Sequence, residues 1–332
     1  MKEMKKGKGK SGFTLIEVLI VLVVSAIVFL GAYEFFSQQQ KTFNQQTAQA
    51  RQQSNLRMAI YYLTQDLINA GFTGTPFGIE GAIYTAKDKG FSTPVRVVRT
   101  ISPGGEFPSL TNSQGDALNI LEIWGNFNAQ STTLTSVVSA GMSTISVQDA
   151  SIFELNIWDE STGAMTTVHP PGFIIGSVYY RAEYHSLRVV DTSNNSITSS
   201  EMIVQNYNPG TDLVAPVWKR VYFVQEDAKG TRYLIRRDYY LETTQDTQIA
   251  DNIVDFQVYF DIKNPTTGDL TLKVDPDTTT VDPCTIRAVI IQLTGRVFAP
   301  GTRPTFLTTN RRVVIPNLWN HPLFDNQCLT VP

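Results

Sequence analysis

Between Phe13 and Tyr33 the chain carries one charged side chain, Glu17. As a helix this run spans about 30 Å, the thickness of a bilayer's hydrocarbon core. Residues 1–12 hold Lys2, Lys5, Lys6, Lys8 and Lys10 against one acid, Glu3, and the next positive residue is Lys41. The positive-inside bias puts such an N-terminus in the cytoplasm and everything beyond Tyr33 outside. A carboxylate in an apolar span costs about 3 kcal/mol at its centre and less near an edge, so Glu17 needs a partner. A cut after Gly12 would give Phe13 a free ammonium. An ordinary secretory signal, with Ser25-Ala26 or Gly31-Ala32 as its small-residue site, also has a basic start and an apolar run. It does not want a glutamate inside that run.

Beyond the run, no proline interrupts the chain before Pro76, and Gly31 is the only glycine from Phe13 to Ala70. Residues 37–70 are dominated by good helix formers. Phe36, Phe43, Leu56, Ala59, Ile60, Leu63, Leu67 and Ala70 fall largely on steps of three and four. That stripe predicts one continuous helix over Phe13–Ala70, amphipathic in its second half and stopped by Gly71. A coiled-coil stalk is the competing expectation. Glutamines replace its apolar seam between Ser37 and Ser54.

After residue 71 the chain turns rich in Thr, Ser, Val, Ile, Tyr and Asn. Alternating runs begin at Pro94, Ala117, Val178, Val221, Tyr233, Ile253, Ile286 and Arg311. Turn residues separate them at Pro103-Gly-Gly105, Asn194-Asn195, Pro209-Gly210 and Lys229-Gly230. The expected class is α+β, a long N-terminal helix packed on a mostly antiparallel β-rich domain. Its parts are residues 1–12, a leader; 13–36, a transmembrane and assembly helix; 37–70, its amphipathic continuation; and 71–332, the exported domain. A division of that domain near residues 140–175 is conceivable.

Little points to catalysis. His169, His185 and His321 lie far apart, and no nucleophile, zinc or phosphate-loop motif is present. The expectation is no enzyme and no cofactor. Asp275, Asp277 and Asp282 form an oxygen-rich stretch that suits calcium weakly, lacking the glycine and final glutamate of an EF-hand. Cys284 and Cys328 are the only cysteines; an exported pair favours a disulfide, and two reduced thiols are the alternative. Without residues 1–12 the chain has 22 basic and 29 acidic residues, net −7, which argues against general nucleic-acid binding. Lys219-Arg220, Arg236-Arg237 and Arg311-Arg312 are read as solvated strand edges and partners of nearby acids, with a small basic patch as the alternative.

Lys10-Ser-Gly-Phe-Thr-Leu-Ile-Glu17, followed by an unbroken apolar helix, resembles the prepilin leader of type IV pilins and type II secretion pseudopilins. The resemblance implies cleavage between Gly12 and Phe13 by a dedicated peptidase, N-methylation of Phe13, and neutralisation of a neighbouring subunit's amine by Glu17. It also implies a pilin-like fold, other pilins and an inner-membrane assembly platform as partners, and a final place in a pilus at the cell surface. Asp66-Leu-Ile-Asn-Ala-Gly-Phe72, Gly115-Asp-Ala-Leu-Asn119, Val221–Asp238, Ile249–Phe260 and Ile286–Leu293 together resemble minor pilins of the PilW type. Residues 125–215 lie outside that likeness. The helix-kinking proline common in major pilins is missing around Tyr33-Glu34-Phe35, which fits a minor pilin or pseudopilin. An anchored adhesin or binding domain that never polymerises is the alternative of another class.

Overall fold

The computed structural model describes residues 14–70, 95–98, 120–159, 162–177, 181–263, 267–274, 286–298 and 303–314. One helix, α1 (Leu15–Ile68), is about 81 Å long. It ends two residues before the expected Ala70. The Ala70 amide turns back to the Leu67 carbonyl at 3.2 Å, and Ala70 then bridges to Gly125. Gly71, the expected stop, lies outside the described residues.

Among the described residues, sixteen strands follow the helix in three sheets. The largest holds β1 (Val95–Val98), β2 (Ile120–Gly125), β3 (Thr132–Thr133), β4 (Thr144–Ser146), β7 (Gly172–Ser177), β8 (Arg181–Asp191), β9 (Ser196–Ser199), β10 (Leu213–Glu226), β11 (Arg232–Tyr239) and β12 (Thr244–Asp251). A hairpin pairs β5 (Leu155–Asp159) with β6 (Ala164–Val168). The last sheet has the order β14 (Leu270–Val274), β13 (Ile253–Lys263), β15 (Ile286–Val297), β16 (Thr305–Val314).

Strand β10 is the spine. Its first half pairs with β7 and β3; its second half pairs with β2 on one side and β11 on the other. Two cores result. One joins Leu56, Ala59, Leu63, Leu67 and Ala70 of the helix to Leu121, Tyr222, Leu234, Phe256 and Ile291 of the sheets. The other, built from residues 134–214 and centred on Phe153, Phe173 and Tyr207, is a lobe of strands with one short 3-10 helix, Ser151–Phe153. The middle stretch is thus organised around its own core.

Strands with apolar alternation were legible in the sequence; polar ones were not. β12 reads Thr-Gln-Asp-Thr-Gln-Ile-Ala-Asp and has one buried residue, Ala250, with Thr244, Asp246 and Gln248 exposed to solvent. Asn195, in an expected turn, takes a left-handed backbone with φ 48°. Pro103-Gly-Gly105 and most of the run from Val178 fall outside the described residues; Arg181 opens β8.

Candidate assembly and docking segment

Chemistry at the start of the helix is local. The Thr14 hydroxyl and amide both donate to Glu17 Oε2 at 3.0 Å, while the Glu17 amide donates to Thr14 Oγ1 at 3.3 Å. This reciprocal arrangement is a capping box, which satisfies amides that a helix start leaves without partners. The pattern Thr-x-x-Glu before an apolar run signals it in sequence, yet the expectations above gave Glu17 only an intermolecular role. Both bonds fall on one carboxylate oxygen. Gly12 and Phe13, the expected cleavage and methylation sites, lie outside the described residues.

Past the cap, nothing among the described residues covers the apolar run. Its most apolar eighteen-residue window has no buried share, and Phe29 is 75 % exposed. Soluble monomers rarely expose contiguous apolar patches beyond a few hundred Å². A surface this large requires lipid or other helices. By length and composition α1 is able to cross a membrane. The stripe predicted from Phe36 starts later than expected, because Phe36 and Phe43 are 68 % and 67 % exposed. Only from Gln52 does one face close against the sheet.

That docked end is fixed by charge as well as by packing. Asp66, on the last turn, receives Arg220 Nη1 at 2.6 Å and the Tyr222 hydroxyl at 2.5 Å. Arg220 Nε reaches Asp238 at 2.8 Å, and Arg236 also bonds Asp238, at 3.1 Å. The Arg220 guanidinium lies 4.0 Å from the centre of the Phe127 ring. An acid near a helix C-terminus opposes the helix dipole, and Arg220 offsets that. Burial, with the Asp66 carboxylate beside it, raises the Tyr222 hydroxyl well above its ordinary range, which keeps it a donor.

The basic pairs therefore meet half of their expectation. Lys219 lies 3.5 Å from Glu122, Arg237 grips Asp246 at 2.6 and 2.7 Å, and Arg312 holds Asp261 at 2.5 Å. They are partners of acids. Lys219 and Arg220 are not at a solvated edge, because β10 is flanked by β2 and β11 at those residues. No recognition of this buried role was available from the bare spacing of the residues.

Turning to the other candidates, His169 Nδ1 lies 2.6 Å from Glu242, and the buried His185 lies 3.0 Å from the buried Glu183. Each histidine pairs with a carboxylate, and no group of metal-ligating side chains occurs among the described residues. His321, the calcium candidates Asp275, Asp277 and Asp282, and the possible disulfide Cys284–Cys328 all lie outside the described residues.

Comparison with known families gives one match. Residues 7–33 fit the prokaryotic N-terminal methylation motif. The chain carries a prepilin-type methylation motif. It supports a pilin-like or pseudopilin-like structural protein processed by prepilin peptidase, and it points away from an enzyme. No curated protein and no solved structure matches the chain. The motif and the exposed apolar helix together fit a membrane-anchored protein on its way to a pilus.

Proposed function

We propose that this chain is a minor subunit of a type IV pilus, of the PilW type. Prepilin peptidase cuts after Gly12 and Phe13 is N-methylated. Residues 13–36 then hold the protein in the cytoplasmic membrane, with Phe13–Tyr33 spanning it and the domain of residues 71–332 outside. An assembly platform draws the subunit into the fibre, where the helix bundles with those of other pilins. Glu17 there faces the Phe13 amine of its neighbour.

The carrying observation is the conjunction of the motif at residues 7–33 with an apolar helix segment that the described residues leave uncovered. A carboxylate near the edge of such a helix is tolerable when a cation meets it. The second core, built from residues 134–214, adds bulk that a repeating shaft subunit does not need, which favours a capping, priming or decorating position. The type II secretion pseudopilins share the same leader and helix and are the second reading. No substrate or cofactor enters either one, and nucleic acid is a poor partner for a domain of net negative charge.

Intact-mass analysis of protein isolated from its own cells tests the processing step. The expected mass is that of a chain starting at N-methylated Phe13. A mature protein that still begins at Met1, in cells with active peptidase, contradicts it. Incorporation beside other pilins, or beside secretion components, separates the two readings.

A further inference from the structure

Lys219 is the one lysine buried among the described residues. Buried ammonium groups are rare, because leaving water costs more than a loosely placed partner returns. Register explains its surroundings. On β10 it stands directly across from Trp124 of β2 on one side and from Tyr239 of β11 on the other. Its Nζ lies 5.0 Å from the centre of the Trp124 ring and 4.8 Å from that of Tyr239. Glu122, also buried, is two residues before Trp124 and therefore shares its face of the sheet. The buried Tyr184 meets the Trp124 ring edge-on, with centres 6.1 Å apart.

The two oxygens of Glu122 have different neighbours. Oε1 accepts the Trp124 indole N–H, and Oε2 lies 3.5 Å from Lys219 Nζ. Arginine–carboxylate pairs elsewhere in the protein close to between 2.5 and 3.0 Å. An ammonium on a flexible four-carbon stem has the freedom to close as far, yet here it stands off. Separations of about 3–3.5 Å between reacting groups belong to a near-attack arrangement. Lysine, unlike arginine, becomes a nucleophile once it gives up a proton.

We propose that Lys219 and Glu122 condense into an amide that joins β10 covalently to β2. The ammonium first passes one proton to Oε2, leaving an amine beside a carboxylic acid. The Nζ lone pair then attacks Cδ, and the Trp124 indole N–H meets the charge that develops on Oε1. The Cδ–Oε2 bond breaks, Oε2 takes a second proton from Nζ, and one water leaves. Nζ keeps its third hydrogen as the amide N–H. Nothing is oxidised or reduced, and no co-reactant enters. Fixed places on neighbouring strands supply the proximity that a free amine and acid lack. Exclusion of water works against the reverse hydrolysis. The bond closes residues 122–219, which include the second core, into one covalent loop.

The test is a proteolytic peptide map of the full chain, purified in detergent micelles and read by mass spectrometry. The expected product is a branched species, the Glu122 peptide joined to the Lys219 peptide, lighter by one water than the two together. Trypsin should not cut after Lys219. This readout lies far from residues 1–12, so it stands or falls independently of leader processing. Lys219→Arg keeps a cation beside Glu122 without a nucleophile and should yield the two peptides separately. Trp124→Phe keeps an aromatic ring but loses the indole donor. A time course after synthesis should show its linkage forming about 100-fold more slowly. Separate recovery of both peptides from the unaltered chain overturns the proposal and leaves an ion pair. A missing water located at any other residues overturns it too. An unchanged rate in Trp124→Phe contradicts the role given to the indole.

Discussion

Arg220 and Asp66 meet at 2.6 Å, a guanidinium on the spine strand against a carboxylate on the last turn of the helix. The two residues are 154 positions apart, so the pair ties the last turn of the helix to the centre of the domain. Asp66 is 4 % exposed. Removing one member of a buried pair leaves the other charge stranded, at a cost of about 3–5 kcal/mol. Asp66→Ala is expected to lower stability by that order. Tyr222→Phe removes one donor to the Asp66 carboxylate and should cost less, about 1.5–3 kcal/mol. Denaturant midpoints of the two variants check the ranking, and equal losses would contradict it.

Gly125 and Gly295 allow close approach to the helix, with different tolerances. A Cβ at Gly125 would sit 2.3 Å from the Asn69 carbonyl oxygen, which is backbone at the helix end. A Cβ at Gly295 would sit 2.1 Å from Gln52 Nε2, the tip of a side chain. Gln52 is able to swing away, giving up its 3.4 Å bond to the Asp251 carbonyl. Gly125→Ala is therefore expected to cost more than Gly295→Ala, with the first in the range of about 1–3 kcal/mol typical of overpacking. Thermal unfolding of both variants decides, and the reverse order would contradict the docking described.

Acid sensitivity should reside in the second core. Burial pushes the Glu183 carboxyl up, but hydrogen bonds from His185 and the Val204 amide, with the histidine's charge, bring it below its ordinary 4.5. A depressed carboxyl contributes stability above its unfolded pKa and loses it as pH falls through the folded value. Glu183→Gln is expected to lower stability at neutral pH and to flatten the loss seen below about pH 4.5. Exchange rates at Val204, whose amide donates to Glu183 at 2.9 Å, report the change directly. An unaltered acid limb in the variant would contradict this assignment.

Much of the fold was legible because burial imposes a period. Leu56, Ala59, Leu63 and Leu67 follow the helical repeat, and all are buried. Ile253–Lys263 and Ile286–Val297 alternate for the same reason. β12 was not legible, since an edge strand facing water needs no apolar face. Asp66 and Arg220 stayed hidden because pairing at such separation depends on the register between β10 and the helix, which no local pattern carries. The capping role of Glu17 was legible in Thr14-Leu-Ile-Glu17, since Thr-x-x-Glu before an apolar run is the capping-box pattern.

The capping and intermolecular roles of Glu17 separate cleanly in one measurement, the incorporation of Glu17→Gln and Glu17→Ala into surface appendages. Glutamine serves as well as glutamate in a capping box, whereas alanine removes both cap and charge. If Glu17 answers the amine of an adjoining subunit, both variants insert in the membrane and neither enters the fibre. Normal incorporation of Glu17→Gln, with only Glu17→Ala failing, would reduce Glu17 to a helix cap and contradict polymerisation through its charge.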